Sequence, residues 1–201
     1  MTKAEQSAAT KARLLDAAVE EFQEHGLAGG RVDRIAERAG VNKRLIYIYF
    51  GDKDGLFDAV IVRDVETMID VVPITQDDLP GYAVSLYDYL EANPTVGRLL
   101  TWRNLERIKA SDIEYDAYRR KVDAVAQAQA TLAPGSTHAP ADVLALILGL
   151  VQSWSQASPA LRDLAGADDP ARAGQRRHSL REAVSRLITP RHPAPPAPSD
   201  S

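Results

Sequence analysis

Residues 31–57, RVDRIAERAGVNKRLIYIYFGDKDGLF, carry the spacing that decides the fold. Ile35, Ala39, Val41, Ile46 and Phe50 fall where two short crossed helices would bury them together. Ala36 is small where those helices must approach closely, and Gly40 sits at the turn, where a positive φ costs glycine nothing. Asn42 suits the N-cap of the second helix. Taken alone, LIYIYF (45–50) has the β-branched and aromatic content of a strand. The cap, the glycine turn and the preceding helix agree with one another, however, and a strand here would lack a partner. The stretch is read as a helix-turn-helix unit at about 31–50.

Burying Ile46 and Phe50 turns Lys43, Arg44, Leu45, Tyr47 and Ile48 outward. Such a mixture of cationic, aromatic and aliphatic groups suits a groove better than water. Arginine bonds guanine bidentately and aliphatic groups touch thymine methyls. Tyrosine hydroxyls and the N–H groups of a helix start suit phosphates, and Lys53 at the next helix start is placed to reach one. Residues 31–53 hold six cations (Arg31, Arg34, Arg38, Lys43, Arg44, Lys53) against three acids (Asp33, Glu37, Asp52), whereas the whole chain carries −4. A local positive patch on an acidic body docks on phosphates while the body stays soluble. The competing reading is that these cations merely solvate a helical surface.

The run IAERAGVNKRLIYIYFGDKDGLF resembles the signature of TetR-family transcriptional regulators, roughly IA-x-x-AGVS-x-G-x-LY-x-YF-x-x-K-x-x-L. Ile35, Ala36, Ala39, Gly40, Val41, Tyr47, Tyr49, Phe50, Lys53 and Leu56 carry it, together with Leu15, Ala17, Ala18, Phe22 and Gly26 upstream, so that it spans about residues 10–57. The resemblance implies a homodimer that binds a palindromic double-stranded DNA operator through paired helix-turn-helix units. A small molecule in the larger domain would change their separation and release the DNA, as in a repressor. It implies phosphate contacts from Tyr47, Tyr49 and Lys53, with Lys43, Arg44 and Leu45 facing bases; Arg31 and Asn42 complete the expected DNA-binding set. Two positions depart from the pattern. Where the family often has a threonine capping the first helix of the unit, Gly30-Arg31 stand here, so either Arg31 supplies the contact or the cap is missing. Arg44 replaces a residue that is commonly small, which implies a base preference of its own.

The remainder reads as nearly all helix. With 201 residues, 45% apolar and 26% charged, the chain is long enough for a real core and globular in composition. No apolar run approaches the roughly 18 residues of a membrane span, and MTKAEQSAATKAR lacks a secretory apolar region, so a cytoplasmic protein is expected. Zero cysteines exclude disulfides and thiolate metal sites. Expected helices cover 10–25, 54–72, 81–92, 95–109, 112–132, 141–157 and 171–189, and the proline-rich stretch 190–201 reads as a disordered tail. The expected organisation is all-α: a three-helix DNA-binding domain over 1–57 and a helical effector-binding and dimerisation domain over 58–189.

In the larger domain Tyr87, Trp102, Arg103, Tyr118 and Trp154 are candidates to line a pocket for a small apolar or aromatic effector, although aromatics at helical spacing are more often plain core. Arg103 and Glu106 read as a surface pair one turn apart. Apolar residues on nearly every face of 141–157 imply burial on several sides, and with 171–189 this helix is the candidate homodimer interface, Gly149 permitting close approach. An alternative is a C-terminal interaction module with no small-molecule ligand. The histidines are dispersed, and metal-ligand spacings, a nucleophile elbow and a phosphate-cradling loop are lacking, so neither catalysis nor a cofactor is expected.

Overall fold

The structure, a computed structural model, describes residues 2–106, 110, 112–166 and 169–189. Among those residues every regular element is a helix, giving an all-α fold: α1 Lys3–Gly29, α2 Val32–Ala39, α3 Arg44–Phe50, α4 Lys53–Val71, α5 Leu79–Ala92, α6 Pro94–Glu106, α7 Asp112–Leu132, α8 Pro140–Gln152, α9 Pro159–Leu164 and α10 Pro170–Ile188. Two compact units result. One gathers the chain up to Val72 with Tyr89–Ala117; the other gathers Pro73–Asp88 with the described residues from Tyr118 onward. The tail expected at 190–201 and the last three residues of the helix expected at 95–109 lie outside the described residues.

In the first unit, α1 starts seven residues earlier than its apolar stripe indicates. Thr2 and Glu5 form a capping box: the Glu5 N–H donates to Thr2 Oγ1 at 3.2 Å, and the Thr2 N–H donates to Glu5 Oε2 at 2.7 Å. The stripe itself, Leu14, Ala17, Ala18 and Phe22, is buried against Ile35, Ala36 and Ala39 of α2, Ile46 of α3, Leu56, Phe57 and Val60 of α4 and Leu99 of α6. Phe22 and Phe57 meet edge to face with centroids 5.1 Å apart. The expected stop at Gly26 is a break inside α1, with φ 67° and ψ −175°. A Cβ there would lie 2.8 Å from the Trp102 ring and 2.7 Å from Glu106 Oε1. Glycine is thus required twice, for the dihedral and for the close approach of α6.

The turn between α2 and α3 is a Schellman closure. Gly40 is left-handed at φ 64° and ψ 38°, its N–H donates to the Ala36 and Glu37 carbonyls, and the Val41 N–H donates to the Ala36 carbonyl at 3.0 Å. Val41 then packs against the core. The 45–50 stretch is helical, because side chains two residues apart in a strand would point Ile46, Ile48 and Phe50 to one side, while this core receives Ile46 alone at full burial. Asp52 caps α4 by accepting the Gly55 N–H at 2.7 Å.

In the second unit, buried residues come from α5 (Leu79, Tyr82, Ala83, Leu86, Tyr87), α7 (Lys121, Val125, Ala128, Gln129), α8 (Val143, Leu144, Ile147, Val151) and α10 (Leu180, Val184, Ile188). Asp88 of α5 pairs with Arg177 of α10 at 2.5 Å. The expected extent of the 141–157 helix is corrected. It ends at Gln152, since the Ser153 and Ser155 hydroxyls donate to the Leu150 and Gln152 carbonyls at 2.8 and 2.9 Å. Pro159 then starts the separate short helix α9, capped by Ser158. Within its own chain α8 buries Val143, Leu144, Ile147 and Val151, while Ala145 and Gly149 are exposed and Leu146 is 54% exposed.

Gly26→Ala should lower unfolding stability by about 3 kcal/mol or more, through backbone strain and the clash with Trp102. Gly40→Ala should cost only about 1 kcal/mol, because a Cβ at Gly40 meets nothing within 4 Å. Urea denaturation of the two variants checks the order.

Candidate nucleic-acid interface

Arg31 occupies the N-cap position of α2 and makes no side-chain cap. The missing partner comes from α1. Glu21, 1% exposed, accepts the Arg31 N–H at 2.9 Å and receives Arg34 Nε on both oxygens at 2.8 and 3.0 Å. Arg34 Nη2 completes the pair with Glu21 and also donates to the Gly29 carbonyl at 3.3 Å. Burial alone would push the Glu21 carboxyl up, but the Arg34 guanidinium, the Arg31 N–H and the nearby His25 outweigh it, and the carboxyl is held below its ordinary value. One buried carboxylate therefore holds both the N-cap residue and the first turn of α2 against α1. Sequence spacing concealed this role, because Glu21 lies ten residues before the N–H it serves.

The second helix of the unit starts as expected. Asn42 Oδ1 accepts the Arg44 N–H at 2.8 Å, and the Leu45 N–H donates to the Asn42 carbonyl at 2.9 Å. With Ile46 inward, Lys43, Arg44, Tyr47 (49% exposed) and Ile48 (61% exposed) face solvent. Leu45 is the exception: expected outward, it is half-buried against the core, because it flanks Ile46 on the inner side of α3. Arg31 and Asn42 are exposed at the ends of the same surface. Lys43 Nζ donates to Asp33 at 2.9 Å, and this bond raises its pKa. Both partners are more than half exposed, so the pair is weak.

Tyr49 and Lys53 are more deeply engaged. Tyr49 packs against the core; Ser7 Oγ donates to its hydroxyl at 3.2 Å, and Lys11 Nζ lies 5.2 Å from its ring centroid. Lys53 Nζ donates to the Gly30 and Ala28 carbonyls at 3.2 and 3.4 Å. An ammonium has three donors, and two of them are used by these carbonyls. Ser7 and Lys11 reach this surface because α1 extends toward Thr2. The Thr2-x-x-Glu5 box is the signal that would have revealed them.

Residues 14–60 match the family description "Bacterial regulatory proteins, tetR family", and residues 78–186 match "Tetracyclin repressor-like, C-terminal domain". The chain is 37% identical over 186 residues to the HTH-type transcriptional repressor SCO4008 of Streptomyces coelicolor, covering 90% of this chain and 95% of that protein. The crystal structure of the transcriptional regulator SCO4942 from Streptomyces coelicolor superimposes with a TM-score of 0.75 at 37% identity, covering 89% of this chain and 97% of that one. NalD of Pseudomonas aeruginosa shares the fold at 22% identity, with a TM-score of 0.59 over 94% of this chain and 100% of that one.

The chain belongs to the TetR family. It is a DNA-binding transcriptional regulator.

The five residues expected to line an effector pocket of this TetR regulator are divided between the two units. Trp102 and Arg103 of α6 belong to the first unit, where Trp102 packs under Gly26 and Arg103 pairs with Glu114 of α7. Glu106, read as the surface partner of Arg103, instead accepts the Ala28 N–H at 3.0 Å. Tyr87, Tyr118 and Trp154 belong to the second unit. Tyr87 is buried, Tyr118 is 42% exposed, and Trp154 is half-buried with the Arg176 guanidinium 4.9 Å from its ring centroid. No helix among the described residues is long and apolar enough to cross a membrane.

Glu21→Ala should destabilise the regulator by about 2–3 kcal/mol at neutral pH, less than for a fully buried pair because Arg34 stays partly exposed. The Glu21 pKa is lowered on folding, so its stabilisation is complete above the free-carboxyl value of 4.5 and is lost as pH falls through the folded value. The stability gap between wild type and Glu21→Gln should accordingly narrow between neutral pH and about pH 3.5, as measured by urea denaturation.

Proposed function

We propose that this regulator is a repressor that binds a palindromic operator as a homodimer and leaves it when a small molecule occupies the larger domain. The single observation that carries the DNA reading is the outward face of α3. Lys43, Arg44, Tyr47 and Ile48 stand exposed on a seven-residue helix whose other side is anchored by Ile46. In this reading residues 1–57 read DNA, and 58–189 bind the effector and dimerise. Arg44 reads base edges from the groove, with Lys43 beside it. Tyr47, together with the third proton of Lys53 and the exposed Arg31, holds the phosphates. Tyr49 and Asn42 act on DNA through the placement of α3, since each is bonded within the unit. Leu45 contributes its remaining exposed edge to the base-facing side. The relative at 37% identity is named a transcriptional repressor, which supports repression over activation.

The dimer surface in this reading is the outer side of α8 with α10. Leu146 is 54% exposed there, and Gly149 is open, with nothing within 4 Å of an added Cβ. A helix carrying an exposed leucine and a bare backbone position permits close contact with its mate. In the cytoplasm such a protein acts without a cofactor or a catalytic step.

Gel-shift titration against the palindrome nearest the protein's own gene tests the reading, with sub-micromolar binding at low salt expected and no binding to any such site counting against it. Tyr47→Ala should weaken binding to all sites by roughly tenfold, whereas Arg44→Ala should change the ranking of operator variants. A uniform loss from Arg44→Ala would remove its base-reading role. Leu146→Arg should convert the dimer to monomer in analytical ultracentrifugation while helix content is retained.

A further inference from the structure

Four polar or charged side chains are buried among the described residues: Thr10, Glu21, Lys121 and Gln129. Three are satisfied. The Thr10 hydroxyl donates to the Gln6 carbonyl at 2.8 Å, Glu21 is held by Arg34 and the Arg31 N–H, and the Gln129 amide donates to Ser136 Oγ and the His138 carbonyl at 3.1 and 3.0 Å. Lys121 differs. It is 9% exposed, and among the described residues it has neither a hydrogen bond nor an ion pair. Its ammonium is met only by two ring faces, Tyr82 at 5.7 Å and Tyr118 at 5.8 Å from their centroids. Tyr82 is itself 4% exposed, and its hydroxyl is buried without a hydrogen-bond partner. All three residues belong to the second unit.

A buried ammonium without a counterion is expensive, and so is a buried hydroxyl that bonds nothing. Ring faces soften the first cost but cannot supply a negative charge. Lys121 offers three donors and no acceptor, and the Tyr82 hydroxyl can add a fourth donor. The unmet demand of this region is therefore for an acceptor with negative charge. A cationic molecule would be repelled, and a neutral one would leave the ammonium unpaired. The nearest buried positions along the same helices are apolar: Val125, one turn along α7 from Lys121, and Ala83, next to Tyr82 on α5, are both fully buried.

We propose that Lys121 and Tyr82 form the anchor for a small organic carboxylate, with the acid group on the Lys121 ammonium and the Tyr82 hydroxyl and an apolar body in the second unit. This rests on the reading of the larger domain as effector-binding and names the chemical class of that effector. Burial pulls the lysine pKa below its ordinary value and pushes the Tyr82 phenol up, so each group gains from a ligand that restores the solvation it has lost. Tyr118, 42% exposed on the other flank of the ammonium, marks the side from which the acid group enters.

The test uses the full chain, with benzoate and octanoate as probes and benzamide, octanamide and octylamine as matched controls, by calorimetry and thermal unfolding. The carboxylates should bind at least about tenfold more tightly than the amides of the same body. Lys121→Met should abolish that preference and raise the ligand-free Tm by about 2–4 °C, because it removes an unpaired buried charge. Tyr82→Phe should weaken the carboxylates several-fold and leave the amides unchanged. Equal binding of acids and amides, a preference that survives in Lys121→Met, or a lower ligand-free Tm for that variant would each overturn the proposal. A parallel operator-release assay separates the two readings. Release by benzamide or octylamine but not by the acids would sink the carboxylate class and keep effector control. Carboxylate binding through Lys121 without DNA release would keep the site and sink its regulatory role.

Discussion

The Glu21 carboxylate is the contact on which the placement of the helix-turn-helix unit depends. It is buried on α1, and it holds the N–H of Arg31, the N-cap residue of α2, and the Arg34 guanidinium at once. A carboxylate in that place does two things a threonine cap would not. It ties the start of α2 to a different helix, and it neutralises one of the six cations in a stretch that must otherwise repel itself. The direction of α2 sets the Schellman turn at Gly40, and that turn sets the exit of α3. The outward face of α3 is thus an indirect product of an acid some twenty residues earlier in the chain.

The segment between α1 and α2 is held from two further sides. Lys53 at the start of α4 donates to the carbonyls of Ala28 and Gly30, while Glu106 at the end of α6 accepts the Ala28 N–H. Trp102, one turn before Glu106, fills the space left by the absent side chain of Gly26. A single residue, Ala28, is therefore held at its carbonyl by α4 and at its N–H by α6. Any displacement of α6 must pull on the segment from which α2 departs, so the same contacts that stabilise the first unit also make its reading head sensitive to that helix.

The second unit has a different character. Most of its buried surface is ordinary aliphatic packing, in which Gln129 is fully satisfied. Against that background an unpaired lysine beside an unbonded phenol is an exception with an energetic cost, and such exceptions belong where a ligand supplies what the chain withholds. Trp154, one of the aromatics expected to line a pocket, presents a ring face to Arg176, whose guanidinium also bonds the Gly166 carbonyl at 3.2 Å.

The helix-turn-helix was legible because everything that specifies it is local: apolar spacing over 35–50, a glycine that alone accepts φ 64°, and an asparagine two residues before the N–H it bonds. The strand-like LIYIYF became a helix for the same reason, its cap and turn outweighing its propensity. The hold of Glu21 on the start of α2, the pairing of Arg103 with Glu114 and the isolation of Lys121 were not legible, since each joins or fails to join residues on different helices. The end of α8 lay between these cases: the serines that stop it are in plain view, but their back-bonding competes with a strong apolar pattern that runs past them. By itself, then, the amino-acid order determined which segments of the helix-turn-helix coil, where they turn and that Ile46 of α3 faces inward. Only tertiary packing decided which charges are matched and which stand alone, because a charge is neutralised by what lies beside it in space, and periodicity carries no record of that neighbour.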